Sequence, residues 1–340
     1  MTAGAAIADR AEFGAMNRAR RPLLGKLASL GRFAVGVVLC LTPVTAVLVL
    51  GWLMRLMQRQ EHYTRERLQG RADGERGPRL PHWITVGTPT SASFVMRWLG
   101  SLVDNLRQGV AALVTLAVGT LPFTLLWVFA WWSGWENSFN KGYEQAWIGR
   151  TIGLIGVAIS LPLLARLPMA LAHQAAEGRM GAFFAFRDVR HLIRLAGWRY
   201  VGLSLLFVVA AVPLFVAKGA PVFVEQWSPG FTGRNAAEVE AFGRGYRFWT
   251  SCYLLATLVY LRRASARLHA RAALASACAN ASPSLLSSIA AIARSLLLGI
   301  VWFALVAQIF VGQFLNHAWI AWLNHPLIVL PWLPPLGAIL

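Results

Sequence analysis

Apolar residues in this chain come in long runs. Gly109 to Trp132, Thr151 to Ala172, Val201 to Ala217 and Leu286 to Gln313 are nearly free of charge, and Phe33 to Met54 and Tyr246 to Leu261 are apolar runs of the same kind. About 20 apolar residues cross a bilayer core as a helix. The pattern therefore predicts an all-α integral membrane helical bundle of five or six transmembrane spans. Between the runs the periodicity changes. Phe94 to Gln108 carries apolar residues at helical spacing, as does Phe183 to Tyr200, where Arg187, Arg190 and Arg194 share one face and Val189, Leu192, Ile193 and Leu195 give apolar area. Both read as interfacial amphipathic helices. The second is expected to lay its arginines on anionic lipid headgroups, each contributing about 1 kcal/mol.

Charge sets the orientation. The chain is 57% hydrophobic and 14% charged, with mean hydropathy +0.54 and net charge +18. A balance this basic suits nucleic acid or an anionic membrane surface, and the arginines flank the apolar runs, as the positive-inside pattern requires. No nucleic-acid-binding module is visible, so nucleic acid is not an expected partner. The segments 55–93, 173–200 and 262–285 are basic and hence cytoplasmic; 133–148 and 218–245 are mixed and hence outside. Three parts follow: a basic cytoplasmic or interfacial N-terminus at 1–32, a helical membrane domain at 33–316, and a Trp- and Pro-rich tail at 317–340 expected to lie in the interface. A multi-pass protein of a bacterial inner membrane is the expected setting.

The first run has basic residues on both flanks, Arg32 before it and Arg55 and Arg59 after it. Either it crosses, with the N-terminus outside, or it is a re-entrant hairpin turning near Thr42-Pro43; the charge pattern favours the hairpin. A weak internal repeat pulls the other way. Each unit is an apolar run, a basic stretch, an interfacial helix and an outward span, with joints at Gly51 to Arg55, Leu164 to Arg166 and Leu261 to Arg263.

Few residues carry chemistry. Pro43, Pro122, Pro162 and Pro213 fall inside or near spans and are candidate helix breaks of the transporter kind, although proline is also tolerated in ordinary membrane helices. Gly149, Gly153 and Gly156, followed by Ser160, give one run a small-residue face for close helix packing, within the chain or with a protein partner in the membrane. No ionisable side chain is expected mid-span, which argues against a proton-coupled pump, and His173 and His191 read as solvated residues at the cytoplasmic edge. Cys40, Cys252 and Cys278 are scattered and imply neither a disulfide framework nor a zinc site. Hydrolase, metalloprotease and nucleotide-binding motifs are missing. No catalytic residue, metal or cofactor is therefore expected.

Pro43, the joint Gly51-Trp52-Leu53-Met54-Arg55, the tetrad Leu80-Pro81-His82-Trp83, and Asn105 to Gly109 entering the next span follow one another in the first third of the chain. In this order they resemble an uncharacterised prokaryotic family of polytopic membrane proteins. The charged stretch between Arg59 and Arg79 is longer than that pattern expects. The resemblance implies a membrane fold and no activity. The expectation is a non-enzymatic accessory, scaffold or assembly subunit of a larger membrane complex, with a transporter or lipid-handling protein as the alternative.

Overall fold

The computed structural model describes residues 27–71, 80, 81, 83, 94–133, 146–227, 236–278, 285–316 and 323–333. Most of the basic N-terminus, the centre of the charged stretch and part of the Trp- and Pro-rich tail lie outside these. Every regular element among the described residues is helical. In chain order, α1 (Leu27–Leu39) and α2 (Pro43–Leu68) precede a long α3 (Phe94–Trp131). Then come α4 (Ala146–Leu164), α5 (Leu167–Glu177), α6 (Met180–Phe183) and α7 (Phe186–Ala196). The chain closes with α8 (Trp198–Trp227), α9 (Ala236–Cys278) and α10 (Leu285–Asn316).

Among the described residues, four helices are long and apolar enough to cross a membrane: Leu99–Trp131, Trp147–Leu164, Trp198–Ala220 and Ile289–Val311. Connectivity adds α9. Gly197 lies against Arg294, Phe207 against Trp302, and Leu214 and Phe215 beside Gln308 and Ile309, so α8 and α10 run parallel. The helix that joins them must return across the same slab. It does so antiparallel to α8: Tyr246 Oη donates to Ala217 O at 2.7 Å and Tyr253 Oη to Ala210 O at 3.0 Å.

The first apolar run is a helical hairpin. α1 ends at Leu39, and α2 starts after Thr42, whose hydroxyl accepts from Thr45 N, with Pro43 in the first turn where its missing N–H is harmless. Both arms come back to one segment. Arg32 Nη1 donates to Leu80 O at 2.6 Å and Trp83 Nε1 to Arg32 O at 2.8 Å, while Trp52 Nε1 donates to Pro81 O at 2.9 Å. Trp52 and Trp83 stack, with ring centroids 4.9 Å apart. This is the geometry a re-entrant segment requires. The far end of α2 closes on Gly70, whose φ of 71° suits glycine; Arg71 N donates to Glu66 O and Gly70 N to Arg67 O.

Three of the four expected helix breaks are absent. α3, α4 and α8 continue through Pro122, Pro162 and Pro213. All three prolines sit on exposed positions. Real interruptions fall before Pro43 and at Ala165-Arg166, where Pro168 opens α5.

Two layers position the interior. α3 packs on α2 and α4, and α8 on α9 and α10. The far ends of α2 and α9 meet α5 between these pairs. In the tail, Asn324 folds a compact turn by accepting from Leu330 N at 2.9 Å and donating to Trp332 O at 3.2 Å. Leu327, Ile328 and Leu333 join the core, so this part of the tail packs into the bundle.

Candidate functional site

Where α2, α5 and α9 meet, each contributes one titratable side chain. Glu61, His173 and His269 stand a few residues past Arg55, Arg166 and Arg263, the three joints of the repeat. His173 Nδ1 and His269 Nε2 are 3.1 Å apart, one donating to the other. His269 Nδ1 lies 3.7 Å from Glu61 Oε1, an ion-pair distance too long for a hydrogen bond. Arg65 Nη2, one turn along α2, donates to the same oxygen at 2.5 Å. Beside His173, Gln174 Oε1 accepts from Thr115 of α3 at 2.9 Å. Glu61 and His269 are buried and His173 is half-buried.

Electrostatics follow from this placement. Burial alone raises the Glu61 carboxyl, but His269 and Arg65 outweigh it and hold it below the usual carboxylate range. Burial, then the neighbouring His269, push His173 below an ordinary imidazole, against the opposite pull of Glu177 and Asp188. The three groups form a line, not a ring. The two nitrogens of His269 face different partners, so the set does not converge on a point. Among the described residues no three His, Cys, Asp or Glu side chains come together to hold a metal ion. Nor does any described hydroxyl or thiol hydrogen-bond either imidazole, so no activated nucleophile is formed there. The line can store or pass a proton.

A second cluster gathers the residues of the family-like pattern. α2 and α3 cross with their backbones in contact: a Cβ on Gly51 would sit 1.9 Å from Asn105 O, and one on Gly109 2.0 Å from Val47 O. Beside the crossing, Arg55 Nη1 donates to Asn105 Oδ1 at 2.7 Å, and Asn105 Nδ2 donates to Trp83 O at 3.0 Å. Gly51, Trp52, Arg55, Pro81, Trp83, Asn105 and Gly109 are thus one clasp that ties the hairpin to α3.

The small-residue face serves the same purpose further on. Gly149, Gly153 and Gly156 are buried, and the last two face α3, where a Cβ on Gly156 would meet Trp127 at 2.7 Å and one on Gly153 would touch Ala130 at 3.6 Å. It is an internal contact. Arg187, Arg190 and Arg194 are exposed on α7 while Val189 and Leu192 are buried, as the amphipathic pattern requires.

Sequence reasoning passed over one buried and one half-buried cation. Arg262 is 1% exposed; its Nη2 reaches Leu327 O at 3.5 Å, and its Nε and Nη1 find no partner among the described residues. Lys218, expected in an outer loop, belongs to the last turns of a membrane-crossing stretch and lines a small enclosure with Gln308 and His325. His173 and His269 were likewise missed as a pair; their matching distance from the repeated joints was the available signal. Between α8 and α9, Pro213, Ala217, Phe242, Gly245, Tyr246, Trp249 and Tyr253 line an open groove of about 530 Å³. No protein-family model, no curated protein and no solved structure matches this chain.

Proposed function

We propose that this chain is a non-enzymatic accessory or assembly subunit of a membrane complex, seated in a bacterial inner membrane with its arginine-rich ends on the cytoplasmic side. The groove between α8 and α9 carries the reading. Its lining is apolar and aromatic: Phe242, Trp249 and Tyr253 are exposed there, and Gly245 has open space where a side chain would stand. The hydroxyls of Tyr246 and Tyr253 are spent on Ala217 and Ala210, so the groove offers shape and aromatic area, not polar recognition. An apolar transmembrane helix of a partner fits such a surface, because helices in lipid associate by packing against small and flat side chains. Gly149, Gly153 and Gly156 are occupied inside the chain and are not that surface.

Extraction in mild detergent from the native membrane, followed by size analysis and mass spectrometry, tests this. A stoichiometric protein partner that is lost when Gly245 becomes Trp supports the reading. A free monomer or homo-oligomer with only lipid bound contradicts it.

The alternative, a transporter or lipid-handling protein, draws on different observations. The hairpin that turns at Thr42-Pro43 and the Glu61–His269–His173 line at the junction of three repeat-like units are features a coupled transporter uses. Solute flux into vesicles holding the purified chain, abolished by His269→Phe, would favour it.

A further inference from the structure

We propose that the enclosure between α8, α10 and the tail turn is a binding site for one small monovalent anion of halide size. Lys218 comes from α8, Gln308 from α10 and His325 from the turn that Asn324 folds, and all three line the same space with Leu214, Phe215 and Pro326. The space is about 30 Å³, room for one such ion or a water or two.

The lining is short of acceptors. Lys218 makes no ion pair or hydrogen bond among the described residues, and neither does the ring of His325. A half-buried ammonium at the end of a membrane-crossing helix, with no carboxylate paired to it, attracts an opposite charge or an acceptor. His325 Nδ1 is buried without a partner and can carry the ring proton toward the space. Gln308 Oε1 is also buried without a partner. Beside a cation and an imidazole, an anion would favour the opposite orientation of that amide, with its NH2 turned inward. Three donor groups then line one space. A single water accepts two hydrogen bonds and supplies no charge, whereas a halide accepts all three and neutralises the lysine. Arg262 approaches the same turn at Leu327 O, so the local field is positive from a second side.

Chlorine-35 NMR line width of sodium chloride solutions holding the purified full-length protein in lipid nanodiscs tests the site. The expected result is excess broadening that saturates with chloride, is displaced by bromide, and is untouched by gluconate. Lys218→Met should remove the saturating part; Arg187→Gln, on exposed α7, should leave it. Gln308→Leu should weaken it several-fold and serves where Lys218→Met does not fold. Broadening that only rises linearly, as a basic surface gives, would overturn the site and leave the enclosure to water. So would saturable broadening that persists in Lys218→Met.

Discussion

The hairpin clasp and the α8–α9–tail region are built by opposite rules. At the clasp every strong group has a partner. Arg55 is matched by Asn105, Asn105 by the backbone of Trp83, and Trp52 and Trp83 by carbonyls on the facing segment. Gly51 and Gly109 remove the side chains that would hold α2 and α3 apart. Across the molecule, Arg262 is buried and Lys218 half-buried without a carboxylate, and a wide aromatic groove stands open. A fully matched polar network fixes one arrangement of the backbone. A region with unmatched donors and uncovered aromatics is arranged to receive something else. Function is therefore expected on the α8–α9 side and stability on the clasp side.

The largest break in this contrast is expected from Gly51→Ala or Gly109→Ala. The added carbon falls on a backbone oxygen that cannot move without parting two helices. Destabilisation of at least about 3 kcal/mol is expected, seen as loss of monodisperse protein in detergent. Next is Asn105→Leu, which removes one acceptor from Arg55 and the donor to Trp83 O and should cost about 1–3 kcal/mol by thermal unfolding. Gly156→Leu, pressed on Trp127, is expected at about 1–3 kcal/mol.

Acid sharpens the comparison further. His173 binds its proton less readily in the fold than an ordinary imidazole, whose value is 6.5. The unfolded chain therefore takes up the proton first as pH falls below that value, and stability declines with it. Glu61 shifts in the same stability sense but acts lower, below the usual carboxylate range, where its depressed value is finally reached. Melting temperature should drop from neutral pH to just below pH 6, and His173→Gln should flatten that slope. The smallest effect on stability, within about 0.5 kcal/mol, is expected for Trp249→Ala, because that ring is 72% exposed. Its effect should appear in partner recovery instead.

Much of the architecture could be read from the chain because lipid imposes a simple rule. Runs such as Val201 to Ala217 must be helices, and the basic joints order them. The hairpin followed from Arg32 and Arg55 flanking one run. The clasp was half legible: Gly51, Trp52, Arg55 and Trp83 stood out as a pattern, but contact between Gly51 and Asn105 depends on how two helices cross. Proline misled, since Pro122, Pro162 and Pro213 face outward and the helices pass through them. Charge inside the bundle was hidden for a different reason. Lys218 and Arg262 sit at run ends, where a sequence suggests snorkelling to water; a tail turn far along the chain packs beside them instead. The pairing of His173 with His269 spans two repeat-like units and needed the fold.

The most direct test of the central claim uses a photoreactive residue at position 249, in the groove, and another at position 300, on the exposed face of α10, irradiated in native membranes. The account predicts one protein adduct of discrete mass at position 249 and lipid adducts alone at position 300. Lipid adducts alone at both positions would contradict the partner groove and with it the accessory-subunit reading.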